Sequence, residues 1–269
     1  MGNKSYDVVA LGELLIDFTD AGISPQGNPI MEANPGGAPC NVLAILTKLS
    51  HKTGFIGKVG EDIFGSQLKN ALTEVGICTN GLVVDKDNRT TLAFVKNHPD
   101  GDREFSFYRN PGADMMLRAS ELNKDMISDT KIFHFGSLSL TDEPAREATL
   151  EAVYMAEEAK AAISYDPNLR ELLWENLDVA KEQIAFGMEH CNMLKISDNE
   201  IVWYTGLSDY EEGAKFLQDK YPNIDLLLVS LGKEGSMAFS RSAKVVVPAF
   251  VRDDAVDTTG AGDTFCGSV

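Results

Sequence analysis

Near the end of the chain, Asp257-Thr258-Thr259-Gly260-Ala261-Gly262-Asp263-Thr264-Phe265 sets small residues directly before a carboxylate and a helix-type run. A helix that starts at such a turn aims several backbone N–H groups, and the positive end of its dipole, at one point in space. That arrangement binds an anion. A carboxylate at Asp263 can stabilise the helix start or, beside a phosphate-binding turn, take the proton of a hydroxyl. The stretch is not the GxGxxG dinucleotide pattern, which needs Gly where Phe265 stands, and no GxxxxGK phosphate loop occurs.

Two earlier segments carry complementary chemistry. Asn34-Pro35-Gly36-Gly37-Ala38-Pro39-Cys40-Asn41 leads into an apolar helical pattern; its paired glycines permit close backbone approach to a ligand, and Asn41 offers both donor and acceptor. Gly12-Glu13-Leu14-Leu15-Ile16-Asp17 ends in a carboxylate able to accept hydrogen bonds from two vicinal hydroxyls, as polyol recognition requires. Taken singly, each also fits an ordinary loop or turn. His51, His98, His134 and His190 show no metal-ligand spacing and read as structural or surface residues.

The elements that must position these groups follow from periodicity. Short apolar runs at Asp7–Leu11, Thr53–Lys58, Ile132–Phe135, Ala162–Tyr165, Met193–Ile196 and Asp225–Val229 predict strands. Helical spacing separates them, as in Val42, Ile45, Leu46 and Leu49 or Phe64, Leu68, Leu72 and Val75, with further helices expected over Glu143–Lys160, Val179–Glu189 and Tyr210–Lys220. Such alternation implies an α/β fold whose mostly parallel sheet is covered on both faces. Residues 12–35 and 85–112 break the rhythm: Thr91–Lys96 and Arg103–Tyr108 alternate apolar with polar side chains, predicting a small antiparallel β lid over a ligand site. Trp174 and Trp203 fall in stretches read as helical, and no repeat or linker divides the 269 residues, so one domain is expected. The helical run after Gly260 stops at Val269 without a cap or polar tail, so the C-terminal part of the domain is expected to be missing.

The chain holds 24 Lys+Arg against 41 Asp+Glu, a net charge of −17 that argues against nucleic-acid or anionic-membrane partners. With 43% hydrophobic and 24% charged residues it is too apolar for disorder. No apolar run reaches the ~18 residues of a membrane span, the N-terminus lacks a signal-peptide pattern, and Cys40, Cys78, Cys191 and Cys266 are scattered as in a reducing cytoplasm.

With these segments in view the chain resembles the ribokinase-like (PfkB-type) carbohydrate kinases, and among them the fructokinases. The resemblance runs in order through GELLIDF, NPGGAPCNV, FIGKVGEDIFG, FYRNPGAD, DPNLR, LKISDNE, VSLGKEG and DTTGAGDTF. It implies a three-layer sandwich, ATP with magnesium as cofactor, and phosphorylation of a sugar hydroxyl, foremost D-fructose to fructose 6-phosphate. By the same resemblance Asp263 is the catalytic base, Gly260, Ala261 and Gly262 form the anion hole, and Arg170 balances charge on the phosphoryl group. Asp17, Gly36, Gly37 and Asn41 hold the sugar, and Arg109 projects toward it from the lid. Asp166, Lys195, Ser230, Gly232 and Gly235 attend the nucleotide. Asp257 and Thr259 match positions that bind a monovalent cation, usually potassium. The family's NxxE magnesium motif appears as Ser197-Asp198-Asn199-Glu200, with Ser in the Asn place; Glu200 is kept as a water-mediated magnesium contact. Ser197 and Glu200 also have the spacing of a helix capping box, and both roles can coexist. The resemblance leaves open a 2-keto-3-deoxygluconate kinase, an aminoimidazole riboside kinase, or, from a different class, a sugar binder without catalysis. A homodimer formed through the lid is a further implication.

Overall fold

A computed structural model of the chain describes residues 4–97, 103–250 and 260–269. Its main sheet begins with β1 (Tyr6–Leu11), whose Val8 and Ala10 point to one face and Val9 and Leu11 to the other, all buried. That double burial is why the strand reads as a continuous apolar run. Beside it lie β4 (Thr53–Gly60) and β5 (Cys78–Asp85) on one flank and β8 (Thr130–Gly136), β9 (Ala162–Asp166), β10 (Met193–Ser197) and β11 (Leu226–Ser230) on the other, all parallel. Two antiparallel strands, β12 (Ser236–Ser240) and β13 (Lys244–Val247), extend the far edge to give a nine-stranded sheet.

Helices cover both faces. On one side α1 (Ala38–Lys48), α2 (Ile63–Val75) and α8 (Ala261–Ser268) pack, on the other α3 (Lys124–Ser128), α4 (Ala145–Glu158), α5 (Leu177–His190), α6 (Asp198–Thr205) and α7 (Tyr210–Lys220). The six predicted core strands and five predicted helices are all present, within a few residues at their ends. β5, β12, β13 and α3 were not anticipated. β5 carries Gly81 and a polar start, β12 buries only Met237 and Phe239 over five residues, β13 is a four-residue exposed edge strand, and α3 is only five residues long. Trp203 lies in α6 as expected; Trp174, expected to be helical, instead adopts extended backbone after a 3-10 turn over Glu171–Leu173 and is buried.

A second sheet stands off the first. It comprises β2 (Leu15–Ile23), β3 (Pro29–Gly36), β6 (Leu92–Asn97) and β7 (Arg103–Tyr108): two antiparallel hairpins joined through a parallel β2–β6 pairing. The cross-strand pair Phe18 and Phe94 stacks at 4.9 Å, and Phe18 meets Phe64 of α2 edge-on at 5.7 Å. The opposite face presents Asp17, Val95 and Phe107 to a cavity.

Both legs of this lid are anchored by one buried network. Arg109, just after β7, donates from Nε to Asp114 Oδ2 at 2.7 Å, from Nη1 to Thr141 Oγ1 at 3.0 Å and from Nη2 to the Leu138 carbonyl at 3.0 Å. Thr91, just before β6, donates its hydroxyl to the same Asp114. The Arg109 and Asp114 side chains are each 2% exposed. Removing one partner of so buried a pair leaves the other uncompensated, which costs about 3–5 kcal/mol. Arg109→Met is therefore expected to lower the urea midpoint by that free energy, and Arg109→Met combined with Asp114→Leu to recover most of it; unchanged stability in the single variant contradicts the anchoring role.

Candidate active site

The carboxyl ends of β1, β8, β9 and β10 open on one side of the sheet, where ligands of parallel α/β sheets bind. A cavity of about 220 Å³ there is walled by Glu13 and Asp17, by Gly37 and Asn41, by Leu138, Asn168, Arg170 and Lys195, and by Gly260–Asp263, with Val95 and Phe107 of the lid above. Segments more than 200 residues apart thus meet, and the three sequence motifs singled out for chemistry share one chamber.

The turn before α1 is shaped by close packing. A Cβ on Gly36 would lie 2.1 Å from Asp17 Oδ2, so glycine lets the carboxylate lie along the turn. Gly37 has φ 121, and a Cβ there would lie 2.4 Å from the Glu13 carbonyl oxygen. Glu13, 4% exposed, also accepts the Ala38 N–H at 2.9 Å through Oε1, and burial pushes its carboxyl up to about 7. Glu13 was not singled out from the sequence; its signal was a charged residue at the end of an otherwise apolar strand.

Asp263 occupies the first turn of α8 and is 8% exposed. Asn41 Nδ2 donates to its Oδ2 at 2.8 Å and Asn168 Nδ2 to its Oδ1 at 3.4 Å. Burial raises its pKa, opposed by the Asn41 hydrogen bond and by the charges of Lys195 and Arg170. Gly260 caps the helix in left-handed conformation, φ 73, and the first intrahelical bond is Thr264 N–H to the Gly260 carbonyl at 2.8 Å. The amides of Ala261, Gly262 and Asp263 precede that bond and have no intrahelical acceptor, so they face the cavity mouth as donors. Gly267 lets α8 close on α1: a Cβ there would lie 2.3 Å from Ile45 Cγ2.

Behind this turn Lys195 pairs with Asp166, Nζ to Oδ2 at 2.9 Å. Burial opposes the lysine charge, but Asp166 and Glu200 outweigh it and hold the ammonium above its ordinary value. Its Nζ lies 3.1 Å from where a Cβ on Gly262 would stand, close under the first turn of α8. His134, on the neighbouring strand, lies against Ser164 and is pushed down to about 4 by burial, so it is neutral and structural, as expected.

Asn168, Arg170 and Lys195 also wall a second cavity, with Ser197, Asn199, Glu200 and Trp203. Ser197 and Glu200 form the anticipated capping box on α6. Glu200 Oε2 accepts the Ser197 N–H and hydroxyl at 2.8 Å, while Oε1 accepts the Leu169 N–H at 2.6 Å, so the same carboxylate ties α6 to the loop after β9. Oε2 is fully engaged while Oε1 keeps one lone pair toward the cavity, an arrangement compatible with contact through the waters that magnesium tends to keep. Among the described residues no cluster of three or more His, Cys, Asp or Glu could hold a metal outright.

Several expected site residues stand elsewhere. Arg109 does not point into the cavity: its guanidinium is spent on Asp114, Thr141 and Leu138, because a buried charge takes the nearest carboxylate. Ser230 ends β11 beside Ser197, and Gly232 and Gly235 bracket the following 3-10 turn, but none of the three walls either cavity. At Gly235 a Cβ would lie 2.1 Å from the Val247 carbonyl oxygen, so this glycine serves packing against β13. Asp257 and Thr259 lie outside the described residues. Asn168, which sequence reasoning passed over within DPNLR, lines the cavity and contacts both Asp263 and Arg170.

A family model described as pfkB family carbohydrate kinase matches residues 5–269. Fructokinase-1 of Zea mays is 44% identical over 264 residues, covering 97% of this chain and 81% of that protein. The crystal structure of fructokinase with bound ATP from Xylella fastidiosa superposes with a TM-score of 0.87 at 33% identity, covering 97% of this chain and 80% of that one. A fructokinase double mutant from Vibrio cholerae, in fructose-, ADP- and potassium-bound form, gives a TM-score of 0.87 at 30% identity over 98% of this chain and 82% of that one. A whole-chain family match, joined to a cavity that sets a buried carboxylate against an amide-lined helix start, leaves one assignment: the chain belongs to the pfkB family of carbohydrate kinases.

Proposed function

We propose that this protein is an ATP-dependent fructokinase that makes fructose 6-phosphate. The observation that carries the reading is Asp263, gripped by Asn41 and Asn168 at the amide-lined start of α8 and in the same cavity as Asp17 and Gly37. Phosphoryl transfer asks a protein for position and charge compensation. Asp263 takes the proton of the sugar's 6-hydroxyl as that oxygen bonds to the γ-phosphorus in line; the bond from phosphorus to the β-phosphate oxygen breaks and ADP leaves. The amides of residues 261–263, with Lys195 and Arg170, oppose the charge on the equatorial oxygens. Asp17 and Asn41 bind sugar hydroxyls, Asp166 holds Lys195 in place, and Val95 and Phe107 exclude water. Magnesium, when bound with the nucleotide, neutralises phosphate charge, with Glu200 meeting its waters. In this reading Asp257 and Thr259, outside the described residues, would hold a potassium ion.

Arg109 bears on the choice of sugar. Of the two arginines that could have met a substrate carboxylate, one is committed to Asp114, which favours a neutral hexose over 2-keto-3-deoxygluconate. The four free cysteines suit a reducing cytoplasm, and no helix among the described residues is long and apolar enough to cross a membrane. Ile23, Ile30, Met31 and Tyr108 of the lid are exposed, which supports a homodimer through that sheet.

Four measurements test this reading. In an ADP-release assay over fructose, ribose, ketodeoxygluconate and aminoimidazole riboside, fructose is expected to give the highest kcat/KM. Asp263→Asn should fold normally and lose about 10²–10⁴-fold in kcat, the range of general-base catalysis; turnover near wild type removes the base assignment. Gly37→Ala, forced against Glu13, should raise the fructose KM with less effect on the KM for ATP. Sedimentation of Ile23→Asp is expected to show monomer where the wild type shows dimer, and a monomeric wild type rules out the lid interface.

A further inference from the structure

Both oxygens of Asp263 have a donor, and the donors approach from different walls. Asn41 reaches Oδ2 from α1, and Asn168 reaches Oδ1 from the loop that follows β9. Asn168 has φ 45, a left-handed backbone that asparagine tolerates better than most residues. Its own Oδ1 accepts Arg170 Nη1 at 2.6 Å, and the Arg170 guanidinium also contacts the Leu169 carbonyl at 3.2 Å. The next residue is pinned by Leu169 N–H to Glu200 at 2.6 Å. Asn168 and Arg170 wall both the cavity that holds Asp263 and the one that holds Glu200. One amide therefore bridges a cation facing both cavities and the carboxylate facing the sugar.

Resting on the kinase reading above, we infer that Asn168 is a positioning residue: its amide turns the Asp263 carboxylate toward the sugar hydroxyl and couples that orientation to Arg170. A base must offer a lone pair along one direction, and a carboxylate held by a single donor can still rotate. The second donor removes that freedom. The Arg170 charge on Asn168 Oδ1 polarises the amide and strengthens Nδ2–H as a donor. When Arg170 turns to an arriving phosphate that polarisation falls, and Asp263 becomes more basic with the γ-phosphate in place. The other titratable and charged groups around Asp263 are Lys195 on β10, Asp166 on β9, Cys266 on α8 itself, Glu13 and Asp17 across the cavity, and Arg170, and of these only Arg170 loses a partner when Asn168 changes.

Three substitutions isolate the amide. Asn168→Gly keeps the left-handed backbone and removes the side chain; Asn168→Ala removes the side chain and strains the backbone; Asn168→Asp keeps the acceptor for Arg170 but sets an anion against Asp263. Asn168→Gly is expected to lose about 10²-fold in kcat, the scale of a misoriented reacting group, with KM values for fructose and ATP and the thermal midpoint close to wild type. A donor to the carboxylate stabilises its ionised form, so losing it raises the Asp263 pKa; the acidic limb of kcat against pH should move to higher pH in Asn168→Gly and further in Asn168→Asp. Wild-type kcat and an unmoved limb in Asn168→Gly overturn the inference, as does a defect confined to Asn168→Ala, which reports backbone strain alone. Asp263→Asn assayed alongside separates the two readings. If it is inactive while Asn168→Gly is fully active, only the positioning role falls; if it stays active, the base assignment and this inference fall together.

Discussion

A carboxylate at the edge of the solvent-excluded interior governs the layout of this protein. Desolvation alone drives Asp263 toward its neutral form, in which it cannot act as a base. Two amide donors and the charges of Lys195 and Arg170 act against that, and the four groups come from three separate elements: α1, the loop after β9, and β10. No single local segment can assemble such a set. The parallel sheet does so by ending several strands on one side, so that their loops converge where α1 and α8 begin. Gly267 matters for the same reason, since the close seating of α8 on α1 brings Asn41 within 2.8 Å of the carboxylate.

Charge is managed in the same way one layer further back. Lys195 and Asp166 form a buried pair beneath the turn that starts α8, and Glu200 clamps the loop carrying Asn168 and Arg170 to the start of α6. A residue expected to serve a cation thus also holds the wall between two cavities. The replacement of Asn by Ser at position 197 is compatible with that arrangement, because Ser caps α6 and donates to Glu200 with the same hydroxyl region. Buried ionic groups of this kind contribute little net stability; their value lies in fixing one geometry.

The lid follows another logic. Its aromatic side, Phe18 and Phe94, is seated on Phe64, while its other side roofs the cavity. Arg109 and Asp114 tie the two lid legs to the loop after β8, and Leu138 belongs both to that anchor and to the cavity wall. Lid position and cavity shape are mechanically linked through this shared residue. An arginine flanked by Tyr108 and Asn110 reads in sequence as a residue presented to ligand; its burial depends on Asp114, five positions along, turning back through the 3-10 segment Ala113–Met116.

Period-2 and helical spacing sufficed to predict six of the parallel strands, the principal helices and the lid strands β6 and β7, because those elements bury one or both faces and their side chains must alternate accordingly. Local motif chemistry likewise marked Asp263, Asp17, Gly37 and Asn41, and the capping box at Ser197 and Glu200, since turn and cap geometry is set within a few residues. The edge strand β13 escaped that reading for want of a buried face to impose a pattern, and β12 because its buried side is Met237 and Phe239 alone. The inward turn of Arg109, the role of Glu13 beneath the Ala38 amide, and the bridge from Arg170 through Asn168 to Asp263 emerge only on folding. Each depends on which polar partner lies nearest once water is excluded, and that is a matter of distances in three dimensions, which spacing along a chain does not encode.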